Sequence, residues 1–296
     1  MKVVVTGSLG NISKPLAREL VEKGHAVTVI SSKPEKQKDI EAIGATAAIG
    51  SLDDVDFLVS AFTGAEAVYT MVPPNYAVPD MRAYYRKIGN SYAQAIRQVG
   101  IKRVVNLSSY GADLDKGTGF ILGAYDVEGI LNELSDVAIT HLRPTYFYYN
   151  LYSFVDMIKE MGFIGANYGG NDKLVMVAPV DIATVAAEEL VILDAVQAIR
   201  YIASDDLTAS EVAHRLGVAI GKPDLKWVTF TDEQAKSGFE ARGISAYLAA
   251  NFIDLGASIH SGAMRLDYDL NKPTAMGNVK LDDFAREFAA AFIGNR

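Results

Sequence analysis

Two glycines and a serine near the start of the chain, Gly7, Gly10 and Ser13, carry the first chemistry that the sequence offers. A β-branched run, Val3 to Val5, ends in Thr6, and the glycines turn the chain at once into an amphipathic pattern carried by Leu16, Ala17, Leu20 and Val21. The pattern reads as strand, glycine turn, helix. Such a helix points its unpaired N–H groups and the positive end of its dipole beyond the strand, where each anionic group gains roughly 0.3–1 kcal/mol. Gly7 permits the tight turn, Gly10 lets the backbone approach a pyrophosphate without a Cβ in the way, and Ser13 stands where a third glycine is usual. Glycines that follow a strand and open a helix point to a bound nucleotide more strongly than glycines that serve a turn alone.

The tip of the next strand refines that reading. Ala26 to Ile30 is β-branched and apolar, and a strand at this place commonly ends in an acidic residue that takes the ribose hydroxyls of NAD. This chain has Ser31, Ser32 and Lys33 instead. Two hydroxyls and an ammonium suit the 2′-phosphate of NADP, and charge-assisted hydrogen bonds of that kind contribute roughly 1.5–3 kcal/mol. NADP(H) is therefore expected in preference to NAD(H). The bland alternative is that the two serines cap the next helix and Lys33 is merely solvated. Other site types have less support. His25, His141, His214 and His260 are scattered without metal-ligand spacing, and Ser108 and Ser109 lack the Gly-x-Ser-x-Gly elbow of a hydrolase.

Composition narrows the classes further. The chain has 296 residues, half of them hydrophobic, and a formal charge of −8. No cluster of Lys and Arg offers the counterion release that nucleic-acid or anionic-membrane binding uses. With no cysteine, disulfides, zinc-thiolate sites and thiol nucleophiles are excluded. The sequence opens on a strand rather than a leader, and no apolar run approaches membrane-spanning length, so a soluble cytoplasmic protein is expected, monomeric or homodimeric.

The elements that must position these residues alternate. Short strands are expected at Thr46–Ile49, Ala67–Val72, Arg103–Leu107 and Ala138–Leu142, with helices between them, one at Ser91–Val99. Alternation of this kind implies a parallel sheet with right-handed crossovers and ligands at the carboxyl ends of the strands. Thr6, Gly7, Leu9, Gly10, Asn11 and Ile12 come to that edge. So do Ser31, Ser32 and Lys33, then Met71, Val72 and Pro73, then Ser108 and Pro144. Leu52 is placed against the adenine, although Ser51 and Asp54 also have the spacing of a capping box. Tyr84 and Tyr85 fall in a Tyr- and Pro-rich loop after Pro74. An aromatic acceptor pocket is expected from Tyr76, Ser109, Tyr110, Tyr146, Phe147 and Tyr149, because tyrosine offers a flat apolar face with a polar tip. Beyond Pro144 the elements shorten, with a helix from Asp181 to Leu193, a strand at Ile199–Ala203 and capping boxes at Thr208/Glu211 and Thr231/Gln234. We place a first domain at 1–144, receiving 179–204 as well, and a smaller substrate-side domain at 145–296.

Taken together, the chain resembles NmrA-like members of the atypical short-chain dehydrogenase/reductase superfamily. The resemblance rests on Gly7-Ser-Leu-Gly10-Asn-Ile, Gly50-Ser-Leu-Asp-Asp, Val68 to Pro74, Asp126-Val-Glu128 with Leu131, Leu142-Arg-Pro144 with Asn150, and Asp181-Ile-Ala. It implies an α/β fold, a Rossmann-type doubly wound parallel sheet with a smaller mixed α/β C-terminal lid. Members include NADPH-dependent quinone reductases, sensors that bind NADP without turnover, plant reductases of aromatic substrates and relatives labelled as sugar-nucleotide epimerases. Many members carry a catalytic Tyr and, four residues on, a Lys before the sixth strand. With Glu128 fixing the register, those positions are Phe120 and Ala124, which can neither donate a proton nor lower a phenol pKa. Tyr125 and Tyr110 remain as candidate donors. Reduction of a quinone or similar planar carbonyl compound, whose developing oxyanion is already delocalised, tolerates this loss better than epimerisation does. A non-catalytic NADP(H) sensor is the alternative.

Overall fold

The computed structural model describes residues 1–192 and 197–294. It divides into two compact units, one formed by Met1–Ala112, Leu122–Arg143 and Pro179–Arg200, the other by Asp113–Ile121, Pro144–Ala178 and Tyr201–Arg296.

The first unit is built on a sheet whose strands are β1 (Lys2–Val5), β2 (Ala26–Ser31), β3 (Thr46–Ile49), β4 (Ala67–Thr70), β5 (Arg103–Leu107) and β6 (Ala138–Pro144). The order across it is β3-β2-β1-β4-β5-β6, every one of these pairs is parallel, and a late strand, Ile199–Ile202, adds beyond β6. This is the strand order of doubly wound nucleotide-binding sheets. Val3, Val4 and Val5 are completely buried, as expected of a central parallel strand covered on both faces. The helices between the strands are α1 (Ser13–Glu22), α2 (Gln37–Ala42), α3 (Val55–Phe62), α4 (Met81–Val99) and α5 (Leu122–Asn132).

Several boundaries differ from the sequence reading. The fourth helix starts at Met81, ten residues before the expected Ser91, because Asp80 accepts the N–H of Ala83 and caps it there. Tyr84 and Tyr85 therefore belong to α4, not to a loop. α4 buries Ile88, Tyr92 and Ile96 along one stripe and stops at Gly100, whose φ of 78° ends the helix in a left-handed turn. Ser51 and Asp54 do not form a capping box. Asp54 is itself the N-cap of α3, accepting from Phe57 N, while the Ser51 hydroxyl turns to Asp53.

The second unit carries two small sheets. β7 (Tyr146–Phe147) runs parallel to β9 (Lys173–Val177), which pairs antiparallel with β11 (Asp205–Thr208); β8 (Ile164–Ala166) pairs with β12 (Trp227–Thr229). In chain order the strand Ile199–Ile202 is β10. The helices are α6 (Val155–Met161), α8 (Ala209–Ala219), α9 (Asp232–Ala241), α10 (Ala246–His260), α11 (Arg265–Leu270) and α12 (Leu281–Phe292), with α7 (Pro179–Val191) in the first unit. The unit has its own core, in which Tyr148, Leu151, Met176, Leu216, Trp227, Phe284 and Phe288 are buried together. Both expected capping boxes form, Thr208 with Glu211 and Thr231 with Gln234. Asp181 lies in the first turn of α7, and the expected end of that helix at Leu193 lies outside the described residues. Asp113–Ile121 joins the second unit because it docks on α10. There a Cβ on Gly119 would overlap the Asn251 carbonyl, and Phe120 meets Phe252 edge-on at 4.9 Å.

Candidate functional site

The glycine turn leaves β1 in a left-handed conformation, with φ of 90° at Gly7 and 55° at Ser8. A side chain is excluded at Gly7, since a Cβ would lie 2.6 Å from Ser13 Oγ and 3.0 Å from Cγ and Sδ of Met71. Ser13 explains its own presence where a third glycine is usual, because its hydroxyl donates to Thr6 O at 2.8 Å and ties the head of α1 to the end of β1. Gly10 N closes the turn on Gly7 O at 3.2 Å. Ile12 precedes α1 with no side-chain cap and the first turn contains no acidic residue. Lys14 N donates to Gly10 O at 3.0 Å and Pro15 has no N–H, so the turn's own amides at Leu9, Asn11 and Ile12, rather than the first turn of the helix, are the ones an outside acceptor can meet.

The tips of the neighbouring strands are pinned to the same turn. Met71 N donates to Thr6 Oγ1 at 2.9 Å, and Tyr92 OH donates to Met71 O at 2.7 Å. Backbone groups that would have prolonged β4 to Val72 are consumed by these side chains, so the strand stops at Thr70. Burial pushes the Tyr92 phenol well above its ordinary range, so it remains a donor. At the end of β2, Ser31 is not a free hydroxyl offered to solvent. It is buried, accepts from Ser8 Oγ at 2.9 Å and from Lys33 N at 3.2 Å, and caps no helix. Ser32 and Lys33 are exposed beyond it, and the tip carries no carboxylate of its own.

A buried clamp holds the ends of β5 and β6. Ser108 donates its hydroxyl to Glu128 Oε1, and Arg143 grips the same carboxylate through Nε at 3.0 Å and Nη2 at 2.7 Å. Glu128 is therefore the centre of an ion pair across α5, β5 and β6, and the Ser108 proton is committed to it. Ser109 and Tyr110 follow directly. Ser109 Oγ contacts Tyr110 O at 3.2 Å, and Tyr110 is buried. Tyr125 is on α5, about one-third exposed, and Ala124 beside it is buried. Phe120 precedes α5 in a short turn, Gly119–Ile121. Tyr76 and Leu52 lie in the connections after β4 and β3.

The remaining aromatic candidates and Pro144 belong to the second unit. Tyr146, Phe147 and Tyr149 are half-buried, with the Phe147 and Tyr149 rings 5.1 Å apart. Burial pushes the Tyr146 phenol up to about 12, and its hydroxyl meets that of Tyr168 at 3.3 Å. Tyr148, between them, is a core residue bonded to Asp205 at 2.5 Å. Ser8, Tyr92 and the Glu128–Arg143 pair were not singled out from the sequence as site-shaping contacts. Each works through a partner at least 15 positions away, which no local spacing reveals. Among the described residues, no group of three or more His, Asp or Glu is arranged to hold a metal, and no helix is long and apolar enough to cross a membrane.

Strand order and glycine turn together define a Rossmann-type α/β fold with a mixed second unit. Residues 1–239 match the NmrA-like family model, and the chain belongs to that family. It is 27% identical to an NAD(P)H azoreductase of Xenophilus azovorans over 295 residues, 98% of this chain and 99% of the relative. In fold it is similar to an NADPH-dependent quinone oxidoreductase of Escherichia coli complexed with NADPH, with a TM-score of 0.80 and 20% identity over 96% of this chain and 99% of that one. It is likewise similar to the triphenylmethane reductase of Citrobacter sp. complexed with NADP(H), with a TM-score of 0.79 and 18% identity over 97% and 99% of the two chains.

Proposed function

We propose that the chain is an NADP(H)-dependent reductase that delivers hydride to a small planar acceptor, a quinone or a related carbonyl compound. The observation that carries this reading is the left-handed turn at Gly7 and Ser8, which brings the end of β1 directly to the head of α1, where no side chain caps the helix. End-to-end similarity to an NAD(P)H azoreductase supports it. When bound, the dinucleotide supplies the hydride itself. In this reading the amides of Leu9, Asn11 and Ile12 hold the pyrophosphate, Leu52 lies along the adenine, and Met71 to Pro73 and Ser108 border the nicotinamide end. Ser32 and Lys33 take the 2′-phosphate. The clamp of Ser108, Glu128 and Arg143 keeps the β5 and β6 tips rigid beside it.

No Tyr-Lys pair is assigned to proton delivery, since Phe120 and Ala124 stand at those positions. A quinone accepts hydride with little need of one, because the charge that develops on oxygen is spread over the ring. The reaction is quinone + NADPH + H⁺ giving hydroquinone + NADP⁺, with the proton from solvent or from Tyr110 or Tyr125.

Calorimetric titration with NADPH and NADH, followed by NADPH oxidation with a panel of quinones, an azo dye and a triarylmethane dye, tests the proposal. Binding of NADPH with turnover of at least one acceptor supports it. Tight binding without turnover of any acceptor refutes the reductase and favours the sensor, which the residues at positions 120 and 124 would permit. Lys33→Ala is expected to weaken NADPH about tenfold, the size of one charge-assisted hydrogen bond, while sparing NADH; equal losses refute the 2′-phosphate assignment.

A further inference from the structure

Ser8 is the only non-glycine residue with positive φ among the described residues. L side chains are strained there and keep such a conformation where their surroundings over-determine it, often at ligand clamps. Glycine would hold the same turn without strain. What serine adds is a hydroxyl, and that hydroxyl donates to Ser31 Oγ at 2.9 Å. Ser31 is 2% exposed and accepts a second bond from Lys33 N at 3.2 Å, so both acceptor sites of its oxygen are in use. Ser8 N also donates to Ile30 O at 3.0 Å. The turn after β1 is thereby tied to the tip of β2 twice, once through the backbone and once through two side chains, and the second tie ends on the amide of Lys33.

We propose that Ser8 is a positioning residue for cofactor selectivity: its hydroxyl, acting through Ser31, fixes the β2 tip so that Ser32 and Lys33 meet the phosphate on the adenosine ribose. The inference rests on the NADP(H) reading above. Hydrogen bonds weaken steeply with distance and angle, so a tip that drifts loses its charge-assisted contacts to a 2′-phosphate. NADH has no such contacts to lose. Removal of the strut therefore falls on NADPH and leaves NADH nearly untouched.

Ser8→Gly and Ser8→Ala separate this role from a structural one. Both delete the hydroxyl, but glycine relieves the backbone strain and alanine retains it. Calorimetric titration of each variant with NADPH and with NADH is paired with thermal melting. NADPH affinity is expected to fall about five- to tenfold in both variants, the worth of one hydrogen bond, with NADH changed by less than about twofold. Ser8→Gly is expected to melt no lower than wild type, Ser8→Ala to melt lower, and Ser31→Ala to reproduce the NADPH loss. An unchanged ratio of NADPH to NADH affinity in Ser8→Gly overturns the assignment, as does a loss of NADPH affinity that follows melting temperature from one variant to the other. Wild-type protein that binds both dinucleotides equally removes the selectivity the strut is meant to serve. Wild-type protein that binds neither overturns the NADP(H) reading itself.

Discussion

Gly7→Ala measures how much of the glycine turn is dictated by sterics. At a φ of 90° alanine is forced out of its allowed regions, and its Cβ would approach Ser13 Oγ to 2.6 Å and two Met71 atoms to 3.0 Å. Left-handed backbone costs alanine roughly 1–2 kcal/mol. Overpacking a closed site costs a further ~1–3 kcal/mol. The variant is thus expected to lose about 2–5 kcal/mol of unfolding free energy, a large part of the ~5–15 kcal/mol typical of a folded protein. Ser13→Ala alone deletes the bond to Thr6 O and is expected to cost ~1 kcal/mol. In the double variant the closest clash is gone while the backbone strain and the Met71 contacts remain, so the two losses should fall short of additivity by ~1 kcal/mol or more. Urea denaturation of the four proteins, followed by circular dichroism, closes the cycle. A Gly7→Ala loss within about 0.5 kcal/mol of wild type would refute the steric reasoning, because that is the range of a surface substitution. Strict additivity would refute the shared space between Gly7 and Ser13.

Three further outcomes follow from buried polar contacts. Tyr92→Phe removes the donor to Met71 O and is expected to cost ~1 kcal/mol and to weaken NADPH and NADH by the same few-fold factor in calorimetry; a change confined to one dinucleotide contradicts a role in the shared cradle. Glu128→Ala leaves the Arg143 guanidinium buried without its counter-charge and is expected to cost ~3–5 kcal/mol, with Glu128→Gln between it and wild type in urea midpoint; a loss below ~1 kcal/mol for Glu128→Ala contradicts the clamp. His141 accepts at Nδ1 from Asn106 Nδ2 at 3.1 Å and donates from Nε2 to Asn132 Oδ1 at 3.0 Å, and burial holds its pKa below the ordinary value. The unfolded chain takes up this proton near pH ~6.5 while the folded chain resists it, so the stabilisation is complete above that pH and is lost as pH falls below it. Urea midpoints measured from neutral to mildly acidic pH should fall less steeply for His141→Gln, and parallel curves contradict the assignment.

The order of elements was legible because strands alternate with helices and the central strands β1, β4 and β5 are short apolar runs that the fold buries. Thr46–Ile49 and Arg103–Leu107 have the bounds the residues suggest, and both Thr-led capping boxes form because a capping box is complete within four residues. The same spacing misled at Ser51, where Asp54 takes the cap itself. The start of α4 was hidden for a different reason. Tyr84 and Tyr85 follow a Pro- and Tyr-rich stretch that reads as loop, yet Asp80 caps the helix at Ala83 and Tyr85 lies against Gly123 of α5, so the cap together with a tertiary contact sets the start that apolar periodicity does not announce.

At the site, the types of residue could be read but their directions could not. Ser31 was read as a ligand for the 2′-phosphate because it ends β2 beside Ser32 and Lys33. In a strand consecutive side chains face opposite ways, and the fold turns Ser31 towards the glycine turn, where Ser8 waits 23 residues earlier. That pairing exists only once β1 and β2 lie side by side, in the register Val5 opposite Val29. In the proposed mode of binding, Ser32 and Lys33 meet the phosphate, and Ser31, bonded to Ser8 and to the amide of Lys33, supports them. At the tip of β5 the Ser108 hydroxyl is likewise drawn inward, to the Glu128 carboxylate that Arg143 holds. A strand-tip serine whose oxygen is already bonded within the fold is therefore expected to support a ligand contact more than to make one, and the exposed residue that follows it carries the more direct prediction.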